Sequence, residues 1–304
     1  MTSPRENPKG RTTSSAFEEE YSALREPAGS QVPFDPLAKY LRMAEEKRPG
    51  AAEEPPEPPR WPMLSGILTF PFYLNTLAAW MYISFGLMVT GWLLMVWVAP
   101  RLGLILGAMS VRLFGLPTCL MGSLTFGYVA TCCLMIVEQT SQGWDSVDVS
   151  PGMEWKEWLW NLAHLIALGL QAAVVGFAVQ ILSNSDSWLP MVVGTFAAFP
   201  MVLLGALAAD GAWVPLAIAT VLRSLVALWW AWGLFYLQTA ALAVGWILLT
   251  KAGLAESPWV VPLYAGPLLA AIILIYARLA GRLAGCIAEE STKHLSEGDD
   301  DEEP

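Results

Sequence analysis

Polar and apolar positions along this chain are sorted into blocks rather than interleaved. Residues 1–60 are polar, apolar runs follow one another from Leu74 onward with short polar breaks, and residues 291–304 turn polar again. Judged against the roughly 20 residues that carry a helix across a bilayer core, the runs predict spans over Leu74–Val98, Leu116–Val137, Trp160–Leu182, Pro190–Ala209, Val226–Leu249 and Trp259–Leu279. The predicted fold is therefore all-α: a polytopic transmembrane helical bundle of about six spans, residues 61–290, between disordered N- and C-terminal tails.

Two stretches do not fit a simple alternation. Leu102–Val137 and Val214–Thr250 are each longer than one span, too short for two with a turn, and interrupted by an arginine, Arg112 and Arg223. The economical solution for both is a short half-buried helix or re-entrant turn, then the arginine at the headgroup level, then a full span. Their matching places in two three-span halves are also what an inverted repeat would look like. Tryptophans support the frame. Trp80 and Trp97 bracket the first span, Trp188 and Trp213 the fourth, and Trp259 opens the sixth, as an interfacial belt predicts. In GMEWKEWLWNLAH, residues 152–164, Trp155, Trp158, Leu159 and Leu162 share a helical face with Glu154 and Glu157 turned away. That stretch should begin as an interfacial helix and continue into the third span.

Charge sharpens this picture. Residues 61–277 hold five Lys/Arg and eight Asp/Glu, too few to coat a soluble globule of that size, whereas residues 1–60 hold nine and eleven. The net charge of −10 comes largely from the acidic C-terminal tail, and nothing in it favours nucleic acid as a partner. The N-terminal tail carries two short amphipathic patterns, Phe17/Tyr21/Leu24 and Leu37/Tyr40/Leu41/Ala44, which read as transient helices or as segments that dock onto a protein partner or onto the membrane domain. A proline-rich spacer, residues 49–60, follows, with a P-x-x-P-x-R arrangement at Pro55, Pro58 and Arg60. No cleavable leader is visible, because the first apolar run is long and distal. Alternating six spans from a cytoplasmic N-terminus puts Lys47, Arg48, Arg60, Lys156, Arg223, Arg278, Arg282 and Lys293 inside, against Arg101, Arg112 and Lys251 outside. Eight to three places both termini in the cytoplasm, with Arg101 and Arg112 discordant.

Catalytic signatures are absent. Two histidines, His164 and His294, form no metal-ligand spacing, and no phosphate loop or nucleophile elbow occurs. Cys119, Cys132, Cys133 and Cys286 read as small hydrophobes, and no cofactor or metal is called for. The most polar feature inside a span is a stripe of Glu157, Asn161, His164 and Gln171, which fall within about 80° of one helical face. Such a stripe must face protein or water. It is either a ligand or proton path or a structural seam with an interhelical hydrogen bond. No acidic residue sits in the middle of a span, which lowers the case for ion-coupled transport. In the closing segment Ala277, Gly281 and Gly285 form a small-xxx-small series suited to close helix approach, and Arg278, Arg282, Arg112 and Arg223 are candidates for lipid-headgroup contact.

The segments GILTFPFY, EQTSQGWDSVD with EWKEWLW, and YARLAGRLAGCIAEE resemble those of a family of multi-span membrane proteins from planctomycete bacteria. The resemblance covers roughly residues 64–290. It implies a helical domain in a bacterial inner membrane and brings no activity, cofactor or catalytic residue with it. The expectation for function is a non-enzymatic inner-membrane scaffold or assembly protein, in contact with the lipid bilayer, that presents cytoplasmic tails to partners. The alternative is a transporter or small-molecule channel using the third-span stripe.

Overall fold

The computed structural model describes Met63 and residues 66–98, 107–144, 147, 155–209, 211–215, 217–257 and 259–299. The patterns expected in the N-terminal tail and its spacer lie outside these residues. Among those described there are seven α-helices and no strand. A 3-10 turn at Phe70–Phe72 leads into α1 (Leu74–Val98), followed by α2 (Gly107–Ser141), α3 (Trp155–Ser183), α4 (Leu189–Leu207), α5 (Ile218–Ala227), α6 (Trp229–Glu256) and α7 (Val261–Asp299). All but α5 are long and apolar enough to cross a membrane, which gives the six candidate spans of a multi-pass protein.

The two ambiguous stretches resolve differently. α5 is a short helix carrying Arg223, and the backbone breaks at Leu228 (φ −114°, ψ 36°) before α6 begins. The break lets the chain change partners, because α5 packs on α4 while α6 packs on α7. The Trp232 indole N–H donates across it to Ser224 Oγ at 3.2 Å. Among its described residues the other stretch holds no such break: α2 is one helix from Gly107, with Arg112 and Pro117 inside it. At the far end, α7 continues as helix to Asp299, through the first part of the expected disordered tail.

α7 is the central element, with α1, α2 and α6 packed on it. Its Ala277/Gly281/Gly285 face meets the end of α2: a methyl group added at Gly281 would sit 2.8 Å from the Val137 carbonyl oxygen, and one at Gly285 would lie 3.1 Å from that of Ser141. Higher up, a methyl at Gly266 would approach the Met88 nitrogen of α1 to 3.0 Å. Around Pro267, which interrupts the ladder of α7, the indole of Trp80 donates to the Pro267 carbonyl (3.1 Å) and that of Trp246 to the Ala265 carbonyl (3.3 Å). Ile83, Ile136, Phe235 and Leu274 form the main core between these helices. α3 and α4 make a separate tight hairpin in which Gly194 faces Gly176, with Leu168, Ala172, Ala198 and Val202 as a second core.

The hairpin joins the rest through α4, where the Tyr236 hydroxyl of α6 donates to the Ala197 carbonyl at 2.7 Å, and through α2. The carbonyl of Trp158 abuts Gly127, and Asn161 Nδ2 donates to Thr131 Oγ1 at 3.0 Å. These contacts climb both helices together, so α3 does not double back beside α2. Val147, between the two helices in sequence, is buried in the main core. A regular up-and-down alternation, on which the eight-to-three count rests, is not followed at this pair.

Two outcomes follow from the packing. Gly281→Val should destabilise the purified protein by about 1–3 kcal/mol, the usual cost of overpacking. Gly245→Ala, on α6 with open space around it, should cause no loss, as read by denaturant titration in mixed micelles. In a background cleared of native cysteines, Thr131→Cys with Asn161→Cys should cross-link. An α3 running back along α2 would instead pair Asn161 with Leu124 and leave the first pair unlinked.

Candidate functional site

The polar stripe of α3 divides among three surroundings. Glu157, on the first turn, is exposed. Asn161 faces α2 through its bond to Thr131, which is itself buried. His164 and Gln171 face the short segment joining α4 to α5, and one residue of that segment, Trp213, receives both. The His164 ring, 7% exposed, stands edge-on to the Trp213 indole with centroids 5.3 Å apart, and Gln171 Nε2 donates to the Trp213 carbonyl at 2.7 Å. Trp160 adds a second edge-on contact to the same indole at 5.1 Å.

The local chain explains why Trp213 arrives there. α4 ends in a turn in which Gly211, at φ +69°, donates its N–H to the Ala206 carbonyl at 3.0 Å. A glycine accepts that left-handed conformation at no steric cost. The next residues are thereby turned back over α3. Pro215 and Ile218 then settle on Gly205, where an added methyl would lie 3.1 Å from the proline ring. The stripe thus spends its central polar groups on holding a loop and a neighbouring helix. Sequence reasoning assigned Trp213 to the interfacial belt and missed this role, because nothing in the linear pattern pairs position 213 with positions 164 and 171.

The arginines expected at the headgroups separate. Arg223 is exposed on α5, and the side chain of Arg112 lies outside the described residues. Arg278 and Arg282 are turned into the protein, contrary to the expectation: Arg278 is 1% exposed, the largest fully buried side chain among those described, and Arg282 is buried beside it. The Arg278 guanidinium carbon lies 4.3 Å from the centre of the Phe70 ring and 5.7 Å from that of Tyr73. The segment before α1 makes this cover. Its Met63, Ile67 and Phe70 are buried in the main core, Thr76 Oγ1 donates to the Phe70 carbonyl at 2.5 Å, and Gln238 Nε2 donates to the Met63 carbonyl at 3.0 Å. The signal in the sequence was the aromatic cluster of GILTFPFY beside the first span, to which no role was given.

Among the described residues no group of three or more His, Cys, Asp or Glu is placed to hold a metal ion. The four cysteines are free thiols. No protein-family model matches the chain, and neither the curated proteins nor the solved structures offer a match.

The cover on Arg278 is testable by changing the ring alone. Phe70→Leu keeps an apolar side chain and deletes the π face, and should cost about 2 kcal/mol, the scale of a desolvated cation–π contact. Phe70→Tyr, which retains the ring, should cost clearly less in the same denaturant titration.

Proposed function

We propose that this chain is a non-enzymatic scaffold or assembly protein of a bacterial inner membrane, with both tails in the cytoplasm and offered to protein partners. The observation that carries this is the use to which the α3 stripe is put: His164 and Gln171 both close on Trp213, and Asn161 closes on Thr131. Side chains engaged in this way act as a seam between helices. A transport path would need the same groups to exchange partners with a moving solute. The polar, amphipathic N-terminal tail supports a docking role, since its two patterns present an apolar face on a segment otherwise rich in charge.

On this proposal, Gln171→Leu lowers stability by about 0.6 kcal/mol and no more than about 1.7, the range of membrane interhelical hydrogen bonds, and leaves the solute permeability of reconstituted vesicles unchanged. Removal of residues 1–60 leaves membrane insertion intact and abolishes the chain's co-assembly with its cross-linked neighbours in cells. A vesicle flux that vanishes in Gln171→Leu at equal protein content would replace the scaffold with the channel or transporter.

A further inference from the structure

Between the end of α4 at Leu207 and the start of α6 at Trp229, both candidate spans, the chain has to lie at one face of the bilayer. α5, with 10 residues, is too short to cross and occupies this boundary. Its neighbours hold it there. The Ala217 N–H donates to the Gly205 carbonyl of α4 at 3.4 Å, Val221 is buried in the main core, and the Trp232 indole reaches Ser224 across the break.

α5 has three distinct sides. At about 100° per residue, Val221 and Ser224 mark the side packed on the bundle, and both are buried. Ile218, Leu222 and Val226 fall within about 80° of one another on a second side, and they are exposed, Val226 to 80%. Thr220, Arg223 and Ala227 fall within about 60° on the third, and are exposed too. Arg223 makes no ion pair with another described residue. Just beyond the break the indoles of Trp229 and Trp230 are exposed as well.

We infer that α5 is an interfacial helix whose apolar side is set in lipid, with Arg223 holding the phosphate of an anionic phospholipid. Besides the protein on its first side, this helix needs an apolar surrounding for one stripe and a polar, anionic one for the other. The headgroup boundary supplies both, hydrocarbon below and phosphate above. Water alone would leave Ile218, Leu222 and Val226 without burial, and hydrocarbon alone would strand the guanidinium. The guanidinium can donate to two phosphate oxygens at once, and exposed indoles belong at the same level. The inference goes beyond the scaffold role and does not depend on it.

The placement is tested with nitroxide labels on single cysteines in the full-length protein, cleared of native cysteines and reconstituted in vesicles of phosphatidylcholine and phosphatidylglycerol. At Ile218, Leu222 and Val226, collisions with oxygen, which concentrates in hydrocarbon, should exceed those with a water-soluble nickel chelate. Thr220 and Ala227 should show the reverse. A preference for nickel at all five would put α5 in water, and shielding of the apolar side from both reagents would mean that a protein surface covers it. Either result overturns the inference. The phosphate is tested with a bimane on Val226→Cys: brominated phosphatidylglycerol should be preferred over brominated phosphatidylcholine as quencher by about fivefold, the worth of one basic side chain at an anionic surface. Arg223→Gln should level the two lipids, and Arg223→Lys should keep most of the preference. Equal quenching with Arg223 in place, or a preference that survives Arg223→Gln, would overturn the part given to Arg223. Should the cysteine-free chain fail to fold, native mass spectrometry of the natural chain and Arg223→Gln gives the same answer: the variant should retain less phosphatidylglycerol, and equal retention would overturn that part.

Discussion

Lipid tails are as apolar as leucine, so helices in a bilayer have no hydrophobic reason to associate, and what holds them is contact made at short range. Short range requires that something be small. In this protein the requirement is met along α7, where Ala277, Gly281 and Gly285 let α2 approach until backbone meets backbone, and where Gly266 does the same for α1. The same device recurs at Gly127 between α2 and α3 and at Gly194 opposite Gly176 within the α3–α4 hairpin. Each of these crossings fixes the position of a helix that carries something else, so the seam and the arginine cover inherit their geometry from them.

Burying charge is the second demand on the fold. Arg278 sits on α7 one residue beyond Ala277, so the close approach that packs the small residues also draws the arginine out of reach of water. An arginine so placed needs compensation, because a buried charge is costly unless its surroundings are polarised toward it. The segment before α1 meets part of that need by laying the faces of Phe70 and Tyr73 against the guanidinium. It is held there by hydrogen bonds from Thr76 and Gln238 to its carbonyls. The stretch leading into the first span is thus a structural component of the bundle as well as a linker.

The α3–α4 hairpin is attached through α2, through α4, where the Tyr236 hydroxyl of α6 donates to the Ala197 carbonyl, and through the segment that carries Trp213. That attachment uses the polar residues that a span can least afford to leave facing lipid. Asn161, His164 and Gln171 each meet a group on another part of the chain, and in doing so they convert a solvation problem into specificity of docking. Val147, between α2 and α3 in sequence, is itself part of the main core.

Much of this was legible in the residues. The six apolar blocks, their near boundaries and the suitability of Ala277, Gly281 and Gly285 for close packing all follow from local composition and period, because span length and backbone approach depend on residues adjacent along one helix; that Val214–Thr250 breaks into a short helix and a span while α2 runs on from Gly107 does not. The stripe of Glu157, Asn161, His164 and Gln171 was equally visible, since a helical face is a property of a single segment. What each stripe residue meets was not. Thr131 and Trp213 lie 30 and more positions away, and their arrival depends on a glycine turn after α4 and on the sense in which α3 passes α2. The arginines mark the same divide. A pair at i and i+4 near a span end reads as headgroup contact from sequence alone, and only the fold of the preceding segment, which places Phe70 over Arg278, turns that pair inward.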